Sequence, residues 1–172
     1  MNKFCIGIDL GGTRIKVGLV RGSRLIEKKT FHAYSAKGLQ ANLHNLQVAI
    51  DDLLEKHQVK PEMLQGIGLS FPGLVNPASK KIISTNKKYD DGPRLHLEEW
   101  VEQKWHTTLF IDNDARMAAV GEWMFGAARG SNDIVAVTIG TGIGTSAIVE
   151  GRLLRGKHFQ AGCLGEIGRA HV

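Results

Sequence analysis

The sequence has few cysteines, and it lacks a long apolar run and an N-terminal cleavage signal. Cys5 and Cys163 are its two cysteines, which excludes a disulfide framework. No apolar stretch approaches the ~18 residues needed to cross a bilayer. Met1 to Gly7 run directly into a strand-like pattern without a small-residue cleavage site, so no secretory signal is expected. We therefore expect a cytoplasmic protein that makes no membrane contact.

The chain also lacks concentrated charge of one sign. It has 22 Lys and Arg residues against 17 Asp and Glu residues, a net charge of +5, and no block of about five like charges interrupts the sequence. This balance favours small anionic ligands over a nucleic-acid partner, which we do not expect. The basic pairs Lys80-Lys81 and Lys87-Lys88 are expected to be solvated, the alternative being that they attract an anionic nucleotide.

Glycine, in contrast, is abundant. The chain has 21 glycines, about 12% of its residues against a usual ~7%, and four of them lie in two turns, residues 11–13 and 140–142. Strand-like segments flank both turns, at 4–20 and again at 134–149. This repetition predicts two related domains: a first domain over residues 1–129 and the beginning of a truncated second domain over residues 130–172.

The remaining periodicities predict an α/β protein. Apolar spacings of three and four predict helices from Leu39 to about His57, over 97–105 and over 115–128, and short apolar runs predict strands at 24–32, 66–70 and 108–111. The three strand-like segments over residues 4–32 predict an antiparallel meander. The later strand–helix–strand order implies parallel pairing with a right-handed crossover. Residues 71–77 and 79–93 are predicted to be irregular.

Each glycine-rich turn is a candidate anion-binding site. Glycine allows backbone N–H groups to converge on one point and a phosphate to approach closely. Neither turn opens a helix or fits the P-loop or dinucleotide-binding pattern, and for either turn alone an ordinary tight turn is the alternative. Asp9, just before the first turn, is a carboxylate that could hold a hydrated Mg²⁺ beside phosphates.

Asp114 is the candidate general base. It follows the strand at 108–111 and precedes a helix, so it lies at the end of a strand where open α/β sheets bind ligands. The helix N-terminus would keep its carboxylate ionised. The alternative is that Asp114 only caps the helix, a role for which Asp112 and Asn113 are also available.

Together these features resemble the sugar kinase/heat-shock-protein-70/actin superfamily and, more narrowly, the ROK (repressor, open reading frame, kinase) family. The matching segments are Asp9-Leu10-Gly11-Gly12-Thr13, Phe71-Pro72-Gly73-Leu74-Val75-Asn76, Asn113-Asp114-Ala115, Gly140-Thr141-Gly142-Ile143-Gly144 and Gly165-Glu166-Ile167-Gly168. The resemblance implies an actin-like ATPase fold of two RNase H-like domains that close over a cleft, the first complete and the second partial. It also implies that both turns bind ATP phosphates and that the first domain binds a hexose.

The resemblance assigns roles to individual residues. Asp114 would be the catalytic base and also contact the sugar, as would Asn113, Glu166 and the backbone around Gly73. Asp9 would bind Mg²⁺, while the phosphates would be bound by Asp9 and the residues of the two turns, namely Gly11, Gly12, Thr13, Gly140, Thr141 and Gly142.

The end of the sequence departs from the family pattern. Arg169 stands where relatives have a histidine that precedes a zinc-binding cysteine cluster, and Cys163 alone cannot form a four-ligand zinc site. A structural Zn²⁺ is therefore expected only in a missing C-terminal part. Residues 166–172 resemble a translated sequencing adapter, so we expect the native sequence to diverge at or just before Arg169 and the fragment itself to be inactive.

The resemblance leaves alternatives open. The leading interpretation is ATP-dependent phosphorylation of a hexose at its 6-hydroxyl, glucokinase-like because glucose is the generic hexose, although N-acetylmannosamine, N-acetylglucosamine, fructose, allose and mannose kinases also occur in the family. Polyphosphate is an alternative donor. The rival functions are a sugar-responsive transcriptional regulator, for which no DNA-binding module fits before Asp9, and a non-enzymatic actin-like interaction domain. The full-length protein is expected to be a homodimer.

Overall fold

A computed structural model describes residues 3–140 and 142–162 of the chain. The chain forms two compact units that divide between Asp112 and Asn113. The domain boundary near residue 130 stays a prediction. The elements in chain order are β1 (Phe4–Leu10), β2 (Arg14–Arg21), β3 (Arg24–His32), α1 (Gln40–Lys56), β4 (Leu64–Phe71), β5 (Gly73–Asn76), β6 (Lys81–Thr85), α2 (Leu97–Trp105), β7 (Leu109–Asn113), α3 (Asp114–Phe125), β8 (Ile134–Ile139), β9 (Ile143–Val149) and β10 (Arg152–Leu153).

A five-stranded sheet in the order β3-β2-β1-β4-β7 organises the first unit. Strands β1, β2 and β3 form the predicted antiparallel meander. Strand β4 pairs with β1 in parallel, and β7, which follows α2, lies next to β4 in the same sheet. The right-handed crossover through the helix at 97–105 stays a prediction. Alternate residues of β1 and the apolar stripe of α1 are buried in one core. That stripe includes Leu46, Ile50 and Leu53, which are fully buried.

The segment after β4 contains a hairpin that the sequence analysis missed. Residues predicted to be irregular form β5 and β6, which pair antiparallel. The Asn76 side-chain Oδ1 accepts hydrogen bonds from the N–H groups of Ala78 (3.0 Å) and Ser79 (3.2 Å) and so closes the connecting turn. The strands are short, and Pro72 and Pro77 flank β5, so the local strand signal was too weak to recognise.

The start of α1 is fixed by a residue that lies far away in the sequence. The Asp91 carboxylate accepts hydrogen bonds from the Leu39 N–H and from the Gln40 N–H, the latter at 2.9 Å. These are two of the donors that a helix N-terminus leaves without an intrahelical partner. Gly38 has a φ of +90° and leaves space that Asp91 occupies, since a Cβ there would lie 2.7 Å from the carboxylate. This contact ties the segment before α1 to the segment that follows β6.

The second unit packs α3 against the β8–β9 hairpin. The hairpin has the predicted position, with β9 beginning at Ile143, and β10 adds a third strand. Helix α3 ends at Phe125 and not at residue 128. Alternate side chains of β8 are largely exposed: Val135 by 70%, Val137 by 57% and Ile139 by 86%.

No helix in the part of the chain that the structure describes combines the length and the apolar content that a bilayer crossing requires.

Candidate phosphate loop and carboxylate site

The first glycine-rich turn is a tight connection between β1 and β2. The last pair of the two strands is Leu10 with Ile15, and beyond it the Gly11 N–H donates a 3.1 Å hydrogen bond to the carbonyl of Arg14. A Cβ on Gly11 would lie 2.6 Å from that carbonyl oxygen. Because real Cβ atoms do not approach backbone this closely, the turn requires glycine at position 11.

Two hydroxyl groups orient the peptides of this turn. The Tyr89 hydroxyl donates to the Gly11 carbonyl and the Ser35 hydroxyl donates to the Gly12 carbonyl, each at 2.7 Å. In a trans peptide the N–H points opposite to the carbonyl, so the N–H groups of Gly12 and Thr13 point away from these hydroxyls. Neither N–H has an acceptor within residues 3–140 and 142–162. The turn therefore presents two adjacent donors, the arrangement that binds an anion.

The loop is accessible from solvent. An open pocket of about 280 Å³ is lined by Gly12, Thr13 and residues 32–37. Thr13 itself is exposed and Gly12 is half-buried.

Tyr89 is fully buried, and this burial together with the nearby Asp9 carboxylate raises the pKa of its phenol to about 12. An unfolded tyrosine has a pKa of about 10. The folded protein therefore holds this proton more tightly than the unfolded chain does. The resulting stabilisation is complete below pH ~10 and is lost as the pH rises towards ~12.

We expect this shift to appear in a phenolate absorbance titration of the complete protein. Subtracting the titration curve of the Tyr89→Phe variant from that of the native protein isolates the absorbance of Tyr89. This difference curve should show a transition at about pH 12. In concentrated guanidinium, where the protein is unfolded, the transition in the difference curve should move to about pH 10. A transition near pH 10 in the folded protein would contradict the buried, hydrogen-bonded position of this phenol.

Asp9 lies beside the loop, near the carboxyl end of β1. Its Oδ2 is 3.0 Å from Lys16 Nζ, its Oδ1 accepts a 3.4 Å hydrogen bond from the Ser70 hydroxyl, and its side chain is 47% exposed. These neighbours follow from register, since Asp9 pairs with Lys16 of β2 and with Ser70 of β4. An accessible carboxylate at the carboxyl edge of a parallel strand pair suits ligand binding.

The donor set around Asp9 fits a hydrated Mg²⁺ and not a protein-enclosed metal site. Within the described residues, no group of three or more His, Cys, Asp or Glu side chains could hold a metal ion. Mg²⁺ commonly takes one or two carboxylates, several waters and the oxygens of substrate phosphates. Asp9 supplies one such carboxylate, and Lys16 already shares it.

In the second unit, Asn113 caps α3 and holds the neighbouring carboxylate. The Asn113 Oδ1 accepts a 3.2 Å hydrogen bond from the Arg116 N–H, so Asn113 fills the cap position that Asp114 was a candidate for. The Oδ1 of Asp114 accepts hydrogen bonds from Asn113 Nδ2 (3.0 Å) and from the Ala115 N–H (2.8 Å). Both donors orient the carboxylate at the N-terminus of α3.

The strand that follows the second glycine-rich turn lies against the beginning of α3. The Gly140 N–H donates a 3.0 Å hydrogen bond to the Gly142 carbonyl, while Thr141 lies outside the described residues. A Cβ on Gly144 would be 3.0 Å from the Cβ of Ala115. This close approach places β9, the strand that follows the turn, beside the residue after Asp114.

Gly73 lies at the start of β5 and is buried. A Cβ there would lie 2.8 Å from the Phe71 ring and would overlap the carbonyl oxygen of Ser84, so this position requires glycine for packing. Glu166 lies outside the described residues, as do Cys163, Arg169 and His171.

The sequence analysis missed the residues that support the first turn. Tyr89 and Ser35 bond to the turn across 78 and 23 positions of sequence, and Ser70 reaches Asp9 across 61 positions. Local patterns do not report such contacts. In the sequence, Ser35 and Tyr89 are isolated hydroxyl residues in polar segments, and Ser70 is one residue of a strand. Nothing else in the sequence pointed to these three residues.

Comparisons with known proteins identify relatives of this chain. The chain is 30% identical over 168 residues to a glucokinase of Halalkalibacterium halodurans, covering 96% of this chain and 50% of the relative. It is 31% identical over 172 residues to a xylose repressor of Caldicellulosiruptor bescii, covering 97% of this chain and 41% of the relative.

A solved structure of a ROK family glucokinase from Streptomyces griseus, in complex with glucose and AMPPNP, superposes with a TM-score of 0.79 at 27% identity. The alignment covers 94% of this chain and 49% of the glucokinase. The chain thus spans about half the length or less of these relatives, and its fold is that of the actin-like ATPase sugar kinases, present in part. The family model described as "ROK family" matches residues 5–172, and this chain therefore belongs to the ROK family.

Proposed function

We propose that the complete protein transfers the terminal phosphoryl group of ATP to a hexose, at the 6-hydroxyl of glucose or a related sugar. The observation that carries the proposal is the arrangement in the second unit. There Asp114 begins α3, and the next residue, Ala115, packs against Gly144 of β9, two residues after the second glycine-rich turn. A candidate base beside a candidate phosphate-binding turn is what phosphoryl transfer to an alcohol needs.

Asp114 would act as the general base. Its Oδ1 is oriented by Asn113 Nδ2 and by the Ala115 N–H, which fixes the plane of the carboxylate. The carboxylate would accept the proton of the sugar hydroxyl as that oxygen attacks the phosphorus. Asn113 and the backbone around Gly73 would hydrogen-bond other sugar hydroxyls, and we propose the same role for Glu166.

The two turns would bind the phosphates. At residues 11–13, the N–H groups of Gly12 and Thr13 would donate to phosphate oxygens, and residues 140–142 would contribute the second set of donors. Asp9 would hold Mg²⁺ through its water shell, and the ion when bound neutralises charge on the phosphates. These interactions would orient the donor and stabilise the charge that develops in the transition state.

The relatives support this proposal over a non-catalytic actin-like interaction domain. One relative is a glucokinase, and the superposed glucokinase structure contains glucose and AMPPNP. ATP as the phosphoryl donor and glucose as the acceptor are therefore the first pair of substrates to test. Polyphosphate is the alternative donor. The structural Zn²⁺ of a missing C-terminal part, the homodimer and the cytoplasmic location stay predictions.

A sugar-responsive transcriptional regulator is the second candidate, because the chain is 31% identical to a xylose repressor. Such a regulator needs sugar binding but not a base, whereas the kinase needs both. The two candidates therefore differ in whether sugar binding is followed by phosphoryl transfer.

The test is phosphoryl transfer from radiolabelled ATP by the purified complete protein to a panel of hexoses. We expect labelled glucose 6-phosphate or the corresponding ester of a related hexose. The matched control is 6-deoxyglucose, which lacks only the acceptor hydroxyl and should remain unlabelled. Sugar binding without transfer to any hexose would contradict the kinase and favour the regulator, and labelling of 6-deoxyglucose would contradict transfer to the 6-position.

A further inference from the structure

Lys88 places an ammonium group beside the phosphate loop of the first unit. Its Nζ lies 3.0 Å, and its Cε 2.8 Å, from the point that a Cβ on Gly12 would occupy. The side chain is half-buried. Lys87 is exposed, whereas the adjoining Tyr89 is buried and brings Lys88 onto the turn. This position favours the alternative that Lys88 attracts an anion.

The backbone on both sides of Lys88 is strained. Lys87 and Tyr89 each have a φ of +57°, a left-handed conformation that bulky side chains rarely adopt. Two hydrogen bonds hold Tyr89 in it: its N–H donates to the Ser35 carbonyl at 2.9 Å and its hydroxyl donates to the Gly11 carbonyl at 2.7 Å. Such conformations persist only where the surroundings fix them, and they concentrate at functional sites. The structure thus sets the position of Lys88.

The carboxylates nearest to Lys88, whether neighbours in sequence or residues at the loop, interact with other groups. Asp9 pairs with a lysine of β2, Asp90 accepts from a threonine hydroxyl, and Asp91 accepts from two N–H groups of α1. No carboxylate within the described ranges lies within ion-pair distance of Lys88. The Lys88 ammonium therefore has no carboxylate partner among the described residues, and an anion bound at the loop would supply an anionic partner.

We infer that Lys88 binds the phosphate group of the donor held at residues 11–13, and that Gly12 lacks a side chain so that this amine can reach it. The inference rests on the proposed function, and it adds a donor-binding residue outside the two glycine-rich turns. The ligand class is a phosphate chain, whose oxygens suit the compact charge of a lysine. Loss of one charge-assisted hydrogen bond should weaken donor binding about 10- to 100-fold.

The experiment measures the affinity of the complete protein for MgATP by calorimetry, and the kinetic constants for ATP and sugar. Lys88→Ala should weaken MgATP binding by about 10- to 100-fold and raise the KM for ATP, while the KM for the sugar stays unchanged. Lys88→Arg, which retains the charge, should recover part of the affinity. The same titration with inorganic polyphosphate tells which phosphate chain depends on Lys88.

Lys87→Ala is the matched control, since it removes an exposed lysine one residue away and should leave MgATP affinity unchanged. Gly12→Ala provides an independent check, because its methyl group would displace the Lys88 amine. Adding Lys88→Ala to the Gly12→Ala protein should then lower its affinity for MgATP little further. The inference would be overturned if the Lys88→Ala and Lys87→Ala proteins bound MgATP with equal affinity. It would also be overturned if the losses in binding free energy from Gly12→Ala and Lys88→Ala were additive in the protein that carries both.

The two proposals fail separately. A protein that phosphorylates a hexose but binds MgATP normally without Lys88 retains the proposed function and loses this assignment. A protein that transfers no phosphoryl group, yet binds MgATP more weakly in the Lys88→Ala variant, retains this assignment and loses the kinase.

Discussion

Replacing Asp114 with asparagine in the complete protein is expected to lower kcat by about 10²- to 10⁴-fold, the usual contribution of a positioned general base. The affinity for the sugar should change little. The amide oxygen of asparagine can still accept from Asn113 Nδ2 and from the Ala115 N–H, the two donors that orient Asp114. The substitution thus removes the proton acceptor while it preserves the position of the side chain.

The measurement combines steady-state phosphoryl transfer with direct titration of the sugar. Asp52→Asn is a suitable control, because it makes the same chemical change at an exposed aspartate of α1 that forms a surface ion pair with Lys29, and such pairs contribute little. Normal turnover in the Asp114→Asn protein would remove Asp114 as the base. A loss of sugar binding equal to the loss of turnover would assign it a binding role only.

Replacing Gly73 with alanine is expected to lower the free energy of unfolding by about 1–3 kcal/mol or more, the cost of overpacking a well-filled site. A Cβ at position 73 would lie 2.8 Å from the Phe71 ring and would overlap the Ser84 carbonyl oxygen of β6. The ring could shift, but the carbonyl belongs to the paired strand. The hairpin β5–β6 would therefore have to separate or move as a whole.

Chemical denaturation of the complete protein measures this change. Gly7→Ala provides the matched control, since Gly7 lies in β1 with nothing within 4 Å of its missing Cβ, and it should be neutral or stabilise the protein by up to about 1 kcal/mol. If the Gly73→Ala and Gly7→Ala proteins unfolded at the same denaturant concentration, the tight packing around Gly73 would be contradicted.

The sequence was most informative where one local period dominates. The apolar stripe of α1, the alternation in β1 and β2 and the second hairpin were all recognisable, because burial of one face imposes the pattern on neighbouring residues. The hairpin β5–β6 was not recognisable. Its strands are short and lie between prolines, and its turn depends on the Asn76 side chain.

The candidate site divides in the same way. Asp9, the two glycine-rich turns and Asn113-Asp114 were identified from residue types at the ends of strands. The cap of α3 could not be assigned among three adjacent polar residues, because the choice depends on which side chain reaches the Arg116 N–H. The roles of Tyr89, Ser35 and Lys88 were invisible for a different reason: each acts on a turn from which it is separated by many residues.

The sequence by itself therefore determined the helices and strands with a clear apolar period and the chemistry available at their ends, since both follow from neighbours along the chain. Only the tertiary structure decided which hydroxyls hold the carbonyls of Gly11 and Gly12, which direction the adjoining N–H groups face and which amine lies beside them. Those contacts are made across the folded sheet, where distance in space is unrelated to distance in sequence, and no local pattern encodes them.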